Sequence, residues 1–427
     1  MKAQLDDLMR DAGLEALLIL GAARHNPAMV YFTGIRHIGE GVLVIRRGRA
    51  PVLYCHPMER EEAARSGLQS RVVDWARLHE RAQGDSVEEL SLLLQHTLEE
   101  QEVSGRVAIY GRREAGEAQG ALSRVEQRMP KVSFVAESRF SSVLGRARIT
   151  KDADEIDRIR RVGQITVEVV RAVMDFLSSG YADDGRLVDR GGKPVTVGEG
   201  KRLIQRLLAE RGADNPEGTI LSVGRDAGVP HSAGQDGDII YLGQPLLLDL
   251  FPCEAGGGYF HDFTRTWCLG HAPDDVAELH AIVLHAYREA VSALRAGEKA
   301  LTAQARVCDI FESQGHPTTR SHPGTLNGYV HSLGHGVGLD IHETPALRLA
   351  VEGEARLEAG MVFAVEPGLY YPDQGMGMRL EDTFWLRPDG SPEVMAEFPM
   401  DLVLPVRARR ASSRRQSARK SGASEKR

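Results

Sequence analysis

Three imidazoles fall within thirteen residues of the stretch HSLGHGVGLDIHE: His331, His335 and His342, interrupted by Gly334, Gly336 and Gly338. The i, i+4 spacing of His331 and His335 would set both on one helical face. Three glycines at alternating positions argue otherwise, because each weakens a helix interior by about 1 kcal/mol. Glycine here lets the backbone pass close to something bulky or charged. Taken alone, the stretch reads equally well as a Gly-rich turn with surface histidines, and the carboxylates on either side tip the balance. Asp249 closes the apolar run PLLLDL and Asp262 sits in YFHDFTRT, with the turn-rich PCEAGGG between them. Glu366 closes MVFAVE and Glu381 sits in MRLEDTF, with PGLYYPDQGMG between. Each pair predicts a strand–turn–strand with an acid on each arm, the two aspartates facing each other across a hairpin.

Four carboxylates at the ends of apolar strands are costly to bury unpaired. A cation that gathers them resolves the cost, and a pair of divalent ions about 3.5–4 Å apart, sharing carboxylates, is a common hydrolytic arrangement. Four carboxylates and one imidazole form a hard ligand set. It disfavours a structural zinc site and suits Mn(II), with Co(II) or Zn(II) able to substitute.

The elements that must position these side chains read as α/β (α+β). Residues 1–137 alternate helices, expected at 5–12 and 87–100, with strand runs at 16–20, MVYFTGI, GVLVIRRG, APVLYC, RVAIYG and KVSFVA. The pattern predicts a mixed sheet flanked by helices. No chemistry is evident in this half; His25, His37, His56 and His79 read as structural or surface residues. Residues 138–153 read as a polar linker. In 154–405, Asp152 or Asp154 is expected to cap a long helix to Leu177, and a second helix covers 197–211. The strands TILSVG, DIIYLGQPLLLDLF and YFHDFTRTWCL follow. Helices capped by Asp274 and Thr302 come next, then MVFAVE and GMGMRLEDTFWLR. Two helices followed by strands thus occur twice, which predicts two related halves facing one site.

The 427 residues are 42% hydrophobic and 26% charged, an ordinary soluble composition with room for two or three domains. No run approaches the roughly 18 apolar residues needed to span a bilayer. The acidic N-terminus lacks a secretory pattern, and the four cysteines are scattered, so a reducing cytoplasm is expected. Between 406 and 427 nine Lys/Arg face a single acid, a basic tail expected to be disordered. The overall charge of −7 therefore belongs to a more acidic body, which argues against a nucleic-acid partner.

Together DLFPCEAGGGYFHDFTRT, HSLGHGVGLDIHE, VEPGLY and MGMRLED resemble the pita-bread metallopeptidases of the aminopeptidase P and prolidase branch, and YFTGI resembles that branch's creatinase-like N-terminal domain. The resemblance implies an N-terminal domain at 1–137 and a pita-bread catalytic domain at 154–405. It implies that Asp249 and Asp262 are aspartate ligands, the second bridging two metals, and that His335 is the histidine ligand. Glu366 would be the third carboxylate and the general base or proton shuttle, and Glu381 the second bridge. His231, in GVPHSAG, would contact substrate or the tetrahedral intermediate. His331 and His342 would line the substrate pocket, with His231 and His342 joining Glu366 in catalysis. Arg379 would hold a bridging carboxylate and face the substrate. One departure stands out: Leu250-Phe251-Pro252 reads as an insertion in a turn that is usually shorter, at the wall of the substrate pocket. The implied activity is hydrolysis of short peptides at bonds involving proline, as an Xaa-Pro aminopeptidase or dipeptidase, and relatives form homodimers or higher oligomers. A C-terminal cut, a creatinase-like non-peptidase reaction and a protein-binding role are the alternatives.

Overall fold

The computed structural model describes residues 4–349 and 355–409. Its N-terminal part is a six-stranded mixed sheet in the order Gln69–Val72, Val52–Cys55, Gly41–Arg46, Ala16–Leu20, Gly105–Gly111, Val132–Val135. The central strand Ala16–Leu20 is buried along its whole length and pairs antiparallel with Gly41–Arg46 and parallel with Gly105–Gly111. Burial on both faces explains its unbroken apolar run. One expected strand is a helix instead. MVYFTGI falls mostly within the helix Pro27–Thr33, where the Asn26 side chain accepts a bond from the Met29 amide, Pro27 opens the first turn and Gly34 closes it at φ 66°. These caps outweigh the strand preference of Val30, Tyr31 and Phe32.

The rest of the chain repeats one plan. The helices Ala153–Ser178 and Val197–Glu210 pack on the sheet Thr219–Val223, Pro245–Leu250, Thr264–Leu269, Val403–Leu404. The helices Asp274–Ser292 and Ala300–Ser313 pack on the sheet Glu343–Leu347, Gly334–Gly336, Val362–Val365, Asp382–Leu386, Pro392–Val394. Asp152, not Asp154, caps the first helix, in a reciprocal box with Glu155. Thr196 and Glu199 form the same box on the second. The expected caps Asp274 and Thr302 both lie inside their helices, which start after Pro273 and Lys299 without a side-chain cap.

The two sheets join at a bridge between Thr264 and Glu381. Asp249 is in register with Thr264, and Thr264 in turn bridges Glu381 through reciprocal backbone bonds of 3.3 and 3.1 Å. Val365 pairs with Asp382, so Glu366 and Glu381 lie at the same end of the second hairpin. Asp262 precedes its strand and does not face Asp249 across the ladder, which corrects the simple hairpin expectation. The glycines around His335 serve the packing inside the second sheet. A Cβ on Gly334 would stand 1.9 Å from the Ala364 carbonyl oxygen, and one on Gly336 would stand 2.3 Å from that of Thr344. The bulky object these glycines admit is backbone on either side.

The N-terminal sheet shares one apolar core with the catalytic part: Leu17, Ile19 and Leu43 belong to the same cluster as Phe260, Val337 and Val362. Between the two parts, residues expected to be a plain linker contain the helix Val143–Ala147, whose Ala147 carbonyl accepts the Tyr31 hydroxyl at 3.0 Å. Just beyond it, Arg148 bonds Asp340 at 2.8 Å and pairs with Glu343, while Lys151 reaches Glu343 at 3.1 Å. At the other end, Arg407–Ala408 pairs with Tyr181–Asp183, so the paired chain runs past the expected tail boundary at 406; the tail from 410 onward lies outside the described residues. Gly334→Ala is expected to cost about 1–3 kcal/mol by forcing the strands Gly334–Gly336 and Val362–Val365 apart. A denaturation midpoint within error of the parent's would refute this account of the glycine.

Candidate metal centre and its cavity

Asp249, Asp262, His335, Glu366 and Glu381, five side chains from four separate stretches of sequence, converge on one cavity of about 580 Å³, which Arg379, His231 and His342 also line. Asp262, His335 and Glu381 form the tight group, with one potential ligand atom from each within 4.8 Å of the others. His335 Nε2 lies 3.5 Å from Asp262 Oδ2 and 3.5 Å from Glu366 Oε1. Its Nδ1 lies 3.2 Å from the Gly336 carbonyl oxygen, which can only accept, so the ring proton sits on Nδ1 and the Nε2 lone pair faces the acids. Burial, reinforced by His342 with its ring 4.3 Å away, holds the His335 pKa down to about 3.

The carboxylates are held by groups the chain supplies around them. Arg379, only 2% exposed, donates to Asp249 Oδ2 at 2.5 Å, to the Tyr370 hydroxyl at 2.8 Å and to Thr264 Oγ1 at 3.2 Å. Thr264 Oγ1 in turn donates a hydrogen bond to Glu381 Oε2 at 2.6 Å. Arg379 was expected behind a bridging carboxylate; its direct partner is Asp249, and Thr264 relays it to Glu381. Thr383 Oγ1 fastens the backbone on both sides of Asp262, at 3.0 and 2.9 Å. Arg265, beneath the seam, donates to the Glu381 carbonyl at 2.8 Å and to Asp382 at 2.9 Å.

What remains is too much negative charge. Burial first, then the charges of Glu381, Asp249 and Glu366, push Asp262 well above the ordinary carboxylate range. Burial and Glu381 do the same to Glu366. Burial and Asp249 raise Glu381 to about 8. Asp249 Oδ1 is buried with no partner among the described residues, a lone pair aimed at nothing the protein provides. A buried acceptor without a donor, crowded acids and an imidazole presenting a bare nitrogen together fit divalent cations.

The other expected residues are placed less uniformly. His231 and His342 are on the cavity wall, but His331 is not among its lining residues. It stands behind Glu366, with Nδ1 2.7 Å from the Ser332 carbonyl oxygen and Nε2 accepting from the Tyr370 hydroxyl at 2.8 Å. Its Nδ1 is 3.9 Å from Glu366 Oε2, and burial together with Arg379 lowers its pKa to about 3. Phe251, from the segment read as an insertion, lines the cavity as expected of a wall residue. The N-terminal half contributes more than its sequence promised. His25, read as structural or surface, lines the cavity 3.5 Å from Asp214, and Arg112 and Arg139 line it too. Tyr370, Thr264 and Thr383 were also missed. DFTRT and LEDT each set a hydroxyl two residues past an acid, but each hydroxyl serves the other arm, Thr264 bonding Glu381 and Thr383 the Asp262 backbone, so the local pattern did not disclose these contacts.

A model of metallopeptidase family M24 matches residues 157–388, and a model of the creatinase/prolidase N-terminal domain matches residues 2–160. The chain belongs to metallopeptidase family M24. Within it the chain falls in the aminopeptidase P and prolidase branch. It is 30% identical over 275 residues to the Xaa-Pro dipeptidase of Pyrococcus furiosus, covering 64% of this chain and 70% of that one. Among solved structures, an X-Pro aminopeptidase from Thermotoga maritima superposes with a TM-score of 0.72 at 22% identity, over 94% of this chain and all of the other. The prolidase from Pyrococcus furiosus superposes with a TM-score of 0.70 at 24% identity, over 92% and 99%. The two M24 halves and the appended N-terminal sheet are therefore the fold expected for this metallopeptidase, and the family implies divalent metal ions at its centre. No helix among the described residues is long and apolar enough to cross a membrane.

In the metal-free M24 protein, native Glu381 keeps its proton up to about pH 8, whereas the unfolded chain releases it near the ordinary 4.5. The native state then binds more protons across that window, so stability falls as pH rises from about 5 toward 8. Urea titrations of chelator-treated protein at both ends of the window measure the slope, and Glu381→Gln is expected to make it shallower, with the raised Asp262 and Glu366 supplying the rest. An unchanged slope in that variant would assign the dependence elsewhere.

Proposed function

We propose that this chain is a dinuclear-metal hydrolase that cleaves short peptides at bonds involving proline. The observation that carries the reading is the meeting of two acids from each half of the domain around one neutral imidazole, with Asp249 Oδ1 left unpartnered. Asp249, Asp262, His335, Glu366 and Glu381 would hold the two ions. The hardness of the set favours Mn(II), with Co(II) or Zn(II) able to substitute. Bound there, divalent ions make the attacking water more acidic and polarise the scissile carbonyl.

The protein's own groups carry the protons. Glu366, buried and raised well above its ordinary range, is the base that accepts the proton of the attacking water. A proline leaving group is a secondary amine with no N–H of its own in the peptide, so it departs only when protonated. Glu366 returns the proton to it, and His231 and His342 on the cavity wall steady the charge that develops on the carbonyl oxygen. His342 is kept neutral by burial, which suits a hydrogen-bond donor at neutral pH. His331, through Tyr370 and its contact with Glu366, orients the base from behind. The dipeptidase and aminopeptidase names of the relatives support both cleavage modes for this chain.

Incubation with Mn(II) and Xaa-Pro, Xaa-Pro-Yaa and longer peptides, with products identified by mass spectrometry, tests the proposal directly. Cleavage beside proline is expected, with metal analysis giving two ions per chain. Glu366→Gln is expected to lower kcat by at least about 10²-fold, the usual scale for losing a general base, while the protein still binds metal. Near-parental turnover in that variant would remove Glu366 as the base.

A further inference from the structure

The metal-centre cavity adjoins a second cavity of about 380 Å³ between the N-terminal sheet and the catalytic part, and Pro27, Arg112, Arg139, Asp340 and His342 line both. At this junction stand two guanidiniums with donors to spare. The Arg112 side chain makes no hydrogen bond or ion pair among the described residues. Arg139 comes no nearer to a carboxylate than 3.7 Å, from Asp340 Oδ1, and Asp340 is already held by Arg148 at 2.8 Å. Glu217 of the first cavity and Glu137 and Glu343 of the second pair with neither arginine among the described residues, Glu137 accepting from Tyr110 and Glu343 from Arg148 and Lys151.

The backbones that present these side chains are fixed. Arg112 follows the strand Gly105–Gly111 at the carboxyl end of its parallel pairing with Ala16–Leu20, and its amide donates to the Leu20 carbonyl at 3.2 Å. A Cβ on Gly21 would lie 2.1 Å from the Arg112 carbonyl oxygen, and one on Gly111 would lie 2.1 Å from that of Leu20. Only glycine at both positions lets the strand ends approach so closely. The Arg139 carbonyl accepts from Ser142 Oγ at 3.3 Å, at the start of the helix Val143–Ala147. Two exposed guanidinium forks on held backbone, lining a cavity that also holds the cluster of acids, match a ligand with an anionic end kept away from those acids.

We propose that Arg112 and Arg139 are the subsite for the free C-terminal carboxylate of a short peptide whose scissile bond lies over the acids. The inference rests on the peptidase reading and deepens it: the enzyme measures its substrate from the carboxylate end, with the N-terminal domain of the same chain as the stop. A peptide amide loses the charge the forks recognise and leaves their donors unmatched.

The test uses metal-loaded protein and non-cleavable analogues of Ala-Pro and Ala-Pro-Ala, a methylene replacing the scissile carbonyl, each as free acid and as C-terminal amide. Calorimetric titration of the wild type is expected to show the acid binding about tenfold or more tighter than the amide at one of the two lengths, the scale of a charge-assisted pair. Arg112→Ala and Arg139→Ala should each remove most of that preference and the double variant all of it, with the amides little changed. Arg→Lys at either position, keeping charge but not the fork, should restore part of it. No acid preference in the wild type at either length, or equal loss for acids and amides in the arginine variants, overturns the proposal. Because the analogues cannot be cleaved, failure of the wild type to hydrolyse peptides would refute the peptidase reading while leaving this binding result to stand or fall separately.

Discussion

Mutual repulsion among buried carboxylates is the constraint on which the rest of this molecule is organised. Asp249, Asp262, Glu366 and Glu381 share a cavity in which Arg379 is the one guanidinium bonded to any of them among the described residues, and three of the four are pushed toward holding protons by burial and by one another. A fold that brings such groups together must gain elsewhere what it loses here, and the places are visible. Thr264, Thr383 and Tyr370 give up their hydroxyls to the site and its arginine, and Arg265 locks the Glu381 backbone from beneath. Around these, three large apolar clusters supply the driving force. Breaking one partner of such an arrangement leaves an uncompensated buried charge, which costs more than the pair contributes intact.

The two halves solve this problem in the same way, by placing acids at one end of an antiparallel hairpin and joining the hairpins at Thr264 and Glu381. Packing inside the second sheet explains why the imidazole lies between glycines. His335 belongs to a three-residue strand wedged between two others, and any side chain at Gly334 or Gly336 would occupy a neighbour's carbonyl. The position of the ligand nitrogen is thus a consequence of backbone packing, with Gly336 supplying the carbonyl that settles which nitrogen is bare.

Legibility in the sequence followed the range of the interaction. The rhythm of helices and strands, the long helix opening at Asp152 and the fully apolar strand Ala16–Leu20 are local patterns and were read nearly to the residue. The acids and His335 were legible because their types are unusual at the ends of apolar strands. Local reading failed where two local signals competed: in MVYFTGI the aromatic and β-branched residues argued strand, while Asn26, Pro27 and Gly34 argued helix and prevailed. It failed again at Asp274 and Thr302, good capping residues that begin one and three positions too late. What no local pattern could reveal was contact across long separations. Tyr370 joining His331 to Arg379, Thr264 joining Arg379 to Glu381, and His25 crossing to Asp214 depend on a tertiary meeting of segments that are unremarkable one at a time.

The clamp of Arg148 and Lys151 on Glu343 gives the joint between the two parts a meaning beyond mechanics. Glu343 is the neighbour of His342, so the segment that tethers the domains also sets the pose of a loop on the cavity wall. A boundary of that kind is a poor site for recombination. Grafting a foreign N-terminal module upstream of Ala153 would carry away the cations that brace this loop, so descent with both parts together is the course the architecture favours over mixing and matching.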